Sequence, residues 1–190
     1  MNDVLLRVRR TSTAGRHPSR YHPILVALHW ISAVAVGLAV ATGKLWLEPM
    51  PNAPSDKLVL LGVHMALGSA ILALTIARLF VRFSTPRPKR ATTGSRLLDA
   101  MAVVTHYSLY AALLLMAGTG LATALMAGYP AIVFGDRAGP LPDTSGLLPR
   151  LVHGVMGWVI LLLVALHVVG ALYHHVVRND GLMRRMWFSK

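Results

Sequence analysis

The chain contains no cysteine. That excludes structural disulfides, thiolate zinc sites, iron–sulfur ligation and covalent c-type haem attachment, and it leaves the redox compartment unmarked. Acid is scarce too: seven aspartates and glutamates stand against nineteen lysines and arginines, a net charge of +12. None of the seven falls inside a long apolar run, which argues against a proton pump built on buried carboxylates and against a hydrolase. Charge of either sign makes up only 14% of the 190 residues, whereas soluble domains carry about 25%.

What the chain has instead is apolar sequence in four long blocks, with 55% hydrophobic residues overall and a mean hydropathy of +0.57. The blocks run from about Ile24 to Ala41, Leu58 to Ala77, Ala100 to Tyr129 and Leu151 to Val177. Each supplies the roughly 20 residues that a helix needs to cross a hydrocarbon core of about 30 Å. A helix satisfies its backbone polar groups within one segment, as lipid demands. A buried soluble core accommodates one such block and fits four poorly. The expected fold is an all-α bundle of four transmembrane helices in residues 21–177, between a basic arm (1–20) and a basic tail (178–190). The first block follows a long basic arm, lacks a clear cleavage site and precedes three more spans, so it does not read as a cleavable signal.

The placement of the basic residues sets the expected topology. Arg7, Arg9, Arg10, Arg16 and Arg20 precede span one. Arg78, Arg82, Arg87, Lys89, Arg90 and Arg96 surround the second connection, and Arg178, Arg184, Arg185 and Lys190 follow span four. The other two connections hold only Lys44 and Lys57, then Arg137 and Arg150, each pair balanced by acids. This alternation is the positive-inside pattern, with the N-terminus, the middle loop and the C-terminus in the cytoplasm. Nucleic-acid binding would need a contiguous basic face on a soluble surface, so it is not expected. A C-terminal reporter active only in the periplasm is expected to be silent, and the same reporter inserted after Tyr129 to be active. The opposite pair of results rejects the topology. In the third connection, the apolar stretch from Tyr129 to Gly135 suits the membrane surface.

Nine histidines are present, and a titratable group at membrane depth usually marks a ligand, a relay or a pathway. His153 and His167 are 14 residues apart in span four, about 21 Å of rise, and fall on one face. His29 lies a few residues inside the cytoplasmic end of span one, at the level of His167. His64 lies a few residues inside the outer end of span two, at the level of His153. Two histidine pairs at two depths suit two non-covalent b-type haems, each iron taking one neutral imidazole nitrogen from either side. Zinc fits less well, since it takes three or four converging ligands. Gly68 and Gly157 each follow an outer histidine by four residues and offer room beside a flat group.

Five segments together resemble the bacterial cytochrome b561 family. They are Tyr21-His-Pro-Ile-Leu-Val-Ala-Leu-His-Trp30, Gly62-Val-His-Met-Ala-Leu-Gly68, Leu151-Val-His-Gly-Val-Met-Gly157, Leu166-His167 and His174-His-Val-Val-Arg-Asn-Asp180. The resemblance spans Tyr21 to Phe188 and is nearest in character to the family's superoxide oxidase members. It implies a di-haem membrane cytochrome with iron ligands His29, His64, His153 and His167. It further implies that superoxide gives up an electron on the periplasmic side and that ubiquinone is reduced to ubiquinol in the membrane. The resemblance places the quinone pocket near the cytoplasmic-side haem, at His174. From the residues alone, His174 suits a quinone carbonyl, a lipid headgroup or a haem propionate equally. His106 reads as a structural hydrogen-bonding residue.

An anionic substrate needs positive charge at the outer face, and Arg150, Lys57, Lys44 and Arg137 supply it. The expected catalytic set is Arg150, Lys57 and His174. Two other functions fit the same residues: a haem b carrier linking a periplasmic redox partner to the quinone pool, and a cytochrome b anchor subunit of a larger dehydrogenase.

Overall fold

The computed structural model describes residues 18–51, 55–135 and 140–188. Among them are four helices long and apolar enough to cross a membrane. α1 covers Pro23–Val40 and continues as a wider π-helical turn over Ala41–Leu47. α2 covers Ser55–Ser84, α3 Arg96–Met126, α4 the short stretch Tyr129–Val133, and α5 Leu148–Leu172. α5 runs on as a π-helical turn over Tyr173–Arg178, followed by a 3₁₀ turn at Leu182–Met186. Four crossings return the chain to the face on which it began, here called the terminal face.

Local chemistry explains the boundaries. α1 starts where Pro23 occupies the first turn, and the His22 ring accepts a hydrogen bond from the Ile24 N–H; a proline needs no donor there. α3 starts behind Thr93, whose N–H and hydroxyl both donate to Asp99 Oδ1 at 2.7 and 2.8 Å. It ends at Gly128, whose φ of 68° is the left-handed conformation glycine adopts without steric cost. The helices pass the expected block ends at several points. α1 runs to Leu47, and α2 runs seven residues past Ala77, so Arg78 and Arg82 are helical residues rather than part of the connection.

Without water on the outside, spans associate by close packing and hydrogen bonds rather than by a hydrophobic drive. α5 packs chiefly on α3, α1 on α2, and α2 on α3. Ile160 and Thr75 are the most deeply buried side chains. Buried hydroxyls are satisfied inside their own helices: Ser32 donates to Leu28 O, Thr75 to Ile71 O and Thr123 to Thr119 O. This back-bonding lets a polar residue sit at a helix interface without needing a cross-helix partner. Large apolar residues such as Val34, Val59, Phe80, Leu162 and Val176 point outward, the pattern of a lipid-facing surface.

The segment after Gly128 does more than suit a surface. It folds as α4, and Val133 and Phe134 close over Gly62 of α2. The tail is likewise built into the bundle at the terminal face. Trp30 Nε1 donates to Met186 O at 2.8 Å, and Trp187 stacks edge-on against Trp30. Arg185 donates to Lys89 O at 2.7 Å.

Candidate functional site

The structure brings His29, His64, His153 and His167 together in two pairs. His29 of α1 faces His167 of α5 with ring centres 6.0 Å apart, and His64 of α2 faces His153 of α5 at 6.1 Å. The helices that carry each pair are not the closely packed neighbours, so each pair bridges a wider gap between helices. A metal–imidazole bond of about 2.0 Å plus about 1.1 Å from that nitrogen to the ring centre sets two imidazoles on opposite sides of one metal about 6.2 Å apart. Both pairs match that spacing. Among the described residues, no cluster of three or more histidine or carboxylate side chains converges on one point. Each level thus offers two ligands, the number that haem iron leaves open.

The far pair is prepared in finer detail. His153 Nδ1 lies 2.9 Å from Met116 O and can only donate to it, which leaves Nε2 with a free lone pair. His64 Nδ1 lies 3.1 Å from Thr42 Oγ1, whose own proton is committed to Leu38 O or Ala39 O. Thr42 therefore accepts from His64, and Nε2 is again the free nitrogen. Fixing one ring nitrogen so that the other meets the metal is the usual outer-sphere device for histidine ligands. The ring faces are cradled as well. A Cβ on Gly43 would stand 3.0 Å from His64 Cε1, and one on Gly120 would stand 2.9 Å from His153 Cε1. The π-helical turn over Ala41–Leu47 brings Thr42 and Gly43 under His64; such widened turns recur at functional sites.

Neither glycine was singled out by sequence. The dipeptide Thr-Gly occurs at Thr42-Gly43, at Thr119-Gly120 and also at Thr93-Gly94 in the second connection, so it separates the two only once its position inside a span is considered. The glycines that sequence did favour behave otherwise. Gly68 faces open space, and Gly157 makes room for the Lys44 stem, whose Cε lies 3.0 Å from where a Cβ would be.

The near pair matches in spacing and differs in its partners. Arg78 donates to His29 Nδ1 at 3.1 Å. His106 stands beside His167 with ring centres 5.0 Å apart and its Nδ1 2.6 Å from Ala102 O, a hydrogen bond within its own helix.

Three cations of the expected set lie at the far face. Arg150 folds back along α5, its Nη1 3.5 Å from the position of a Gly154 Cβ. Lys57 donates to Met50 O. Lys44 pairs with Glu48 at 2.9 Å and lies 4.6 Å over the Trp158 ring. Arg137 and the N-terminal arm through His17 lie outside the described residues. At the terminal face His174 is buried, with Nδ1 2.6 Å from Asp180 Oδ2. Asn179 in the left-handed conformation (φ 46°) turns the chain so that Asp180 reaches back. Desolvation would raise the Asp180 carboxyl, but the His174 ring and the Leu182 N–H hold it below the ordinary carboxylate range.

The profile of the family described as "Prokaryotic cytochrome b561" matches residues 20–189. "Cytochrome b561 homolog 2" of Escherichia coli (strain K12) is 27% identical over 177 residues, covering 89% of this chain and 92% of that protein. "Probable superoxide oxidase CybB" of Yersinia pestis is 26% identical over 183 residues, covering 90% and 97%. "Cytochrome b562" of Cereibacter sphaeroides is 29% identical over 170 residues, covering 87% and 94%.

Proposed function

We propose that this chain, which belongs to the prokaryotic cytochrome b561 family, is a di-haem cytochrome b of the bacterial inner membrane that oxidises superoxide on the periplasmic side and reduces ubiquinone. The observation that carries the reading is the pair of imidazole–imidazole distances, 6.0 and 6.1 Å, at two depths of one bundle. His29 and His167 hold one b-type haem and His64 and His153 the other. When bound, haem supplies reversible one-electron transfer, which no side chain of a cysteine-free chain provides as readily. The likeness to a relative named as a probable superoxide oxidase supports the choice of substrate.

The net reaction takes one electron from each of two superoxide ions, releasing two O₂, and delivers two electrons and two protons to one quinone. The chain's own residues divide this work by face. Both termini are cytoplasmic in this reading, so the His64–His153 level lies near the periplasm. There Arg150 and Lys57 draw the anion in, and Lys44 adds charge above Trp158. At the cytoplasmic face His174 holds a proton for the quinone carbonyl, and Asp180 fixes its ring so that Nε2 is the atom presented.

The test is stopped-flow reduction of the purified protein by superoxide, with and without a ubiquinone analogue. Rapid reduction followed by reoxidation on adding quinone is the expected result. The wild-type rate should fall as salt rises, because the screening length is only about 10 Å at 0.1 M. The Arg150→Gln, Lys57→Gln double variant should react about tenfold more slowly at low salt, with a flatter salt slope. Reduction by a periplasmic electron-transfer protein, and none by superoxide, would select the carrier function instead.

A further inference from the structure

We infer that Arg78 and Arg82 of α2 form a clamp for the two carboxylates of the haem that His29 and His167 hold; the inference rests on the two-haem reading above. The two arginines are four residues apart, one turn on the same face, and both lie inside the second span. Their guanidiniums sit over tyrosine rings of α3. Arg78 is 5.4 Å from the Tyr110 ring, and Arg82 is 5.9 Å from Tyr110 and 6.0 Å from Tyr107. Both Nε atoms are buried without a hydrogen-bond partner, and no ion pair to either arginine is found among the described residues. A tyrosine face offers a quadrupole and no acceptor for an in-plane N–H. Two charged forks at membrane depth with idle donors therefore call for an anion with oxygen acceptors.

The contact between Arg78 and His29 says where that anion comes from. A guanidinium only donates, so in this contact His29 Nδ1 accepts and its ring proton sits on Nε2. Were His29 to hold iron through Nε2, that proton would belong on Nδ1, and two donors would face each other across 3.1 Å. Arg78 has to turn its fork to another acceptor within reach of its present position. A haem ligated by His29 carries two propionates, and carboxylates match guanidinium forks with two parallel hydrogen bonds each. Arg82, one turn nearer the terminal face, meets the second. The clamp thus links ligation to anchoring: the step that frees Arg78 from His29 also delivers the carboxylate that Arg78 binds. Two fixed cations beside this haem also favour its reduced form, on the side where the quinone is reduced.

The experiment is a redox titration with haem quantitation on the wild type, the single Arg→Gln variants, the Arg78→Gln, Arg82→Gln pair and the Arg→Lys pair. The near-pair haem is assigned as the one lost in His29→Ala. In the double Gln variant its reduction equilibrium should shift about tenfold towards the oxidised form, which is about 59 mV for one electron, while the other haem is unchanged. The Lys pair should recover most of the potential and less of the haem retention, since an ammonium keeps the charge and loses the fork. Because a variant can fail for lack of folding, wild-type apoprotein reloaded with haem b dimethyl ester gives the second measurement. It should release this haem faster, as the double Gln variant does, with the Gln substitutions adding little to that release, while its potential moves the other way, towards the reduced form, because two negative charges are lost and the arginines stay. Unchanged potential and retention in the double Gln variant overturn the clamp, as does an ester effect on haem release that simply adds to the Gln effect. So does a variant whose only defect is cured by anionic lipid, which would assign the arginines to headgroups. A wild type that binds one haem or none overturns the two-haem reading itself.

Discussion

Replacing His153 with alanine is expected to lower haem content from about two per chain to about one, measured by pyridine haemochrome against protein concentration. His64→Ala should do the same, and the double variant should be no worse than either single one. The reason is that the two rings face one another across 6.1 Å and would hold one haem between them, so losing either ring would undo the same site. The pair acts as one unit, and such effects are not additive. The His29–His167 level should keep its haem in all three, because it lies on other helices or about 21 Å along α5. Combining His153→Ala with His167→Ala should remove both haems, since α5 supplies one ring to each level. A stable wild-type preparation saturating at one haem, or a His64→Ala, His153→Ala variant that still binds two, would refute this assignment.

A single methyl group should disturb the same site. Gly120→Ala places a Cβ 2.9 Å from His153 Cε1 and 3.1 Å from Nδ1, closer than side-chain atoms tolerate. The ring cannot easily yield, because Nδ1 is tied to Met116 O. Overpacking of this kind costs about 1–3 kcal/mol, so haem loss from the far level should be about tenfold faster than in the wild type. Gly120→Val should lose that haem outright. Gly43→Ala, at 3.0 Å from His64 Cε1, should act in the same direction and more weakly. Gly118→Ala and Gly68→Ala are the controls. Nothing lies within 4 Å of their added methyls, and alanine favours a helix interior by about 1 kcal/mol over glycine. These two should bind haem normally and melt no lower than the wild type. Equal haem loss at Gly118 and Gly120 would mean that the cradle plays no part.

Much of this protein is determined within single segments and can be read there. Four apolar blocks fix four spans because the cost of exposing a polar backbone to lipid is met helix by helix. The histidine levels follow from counting residues at 1.5 Å each, which puts His64 at the depth of His153 and His29 at the depth of His167. The same local reading ends span two at Ala77, because a charge beside an apolar run resembles a loop. Only the packed structure shows Arg78 and Arg82 continuing the helix, because the Tyr107 and Tyr110 rings that receive them stand on a different span. Thr42 and Gly43 reach His64 through a widened turn, and Gly120 reaches His153 across the close packing of α3 on α5. Asp180 reaches His174 through a left-handed residue, and Met186 reaches Trp30 from 156 positions away. Depth along a helix is a property of one segment. Which atoms close on a ring depends on two or three segments meeting, and no periodicity within one of them encodes it.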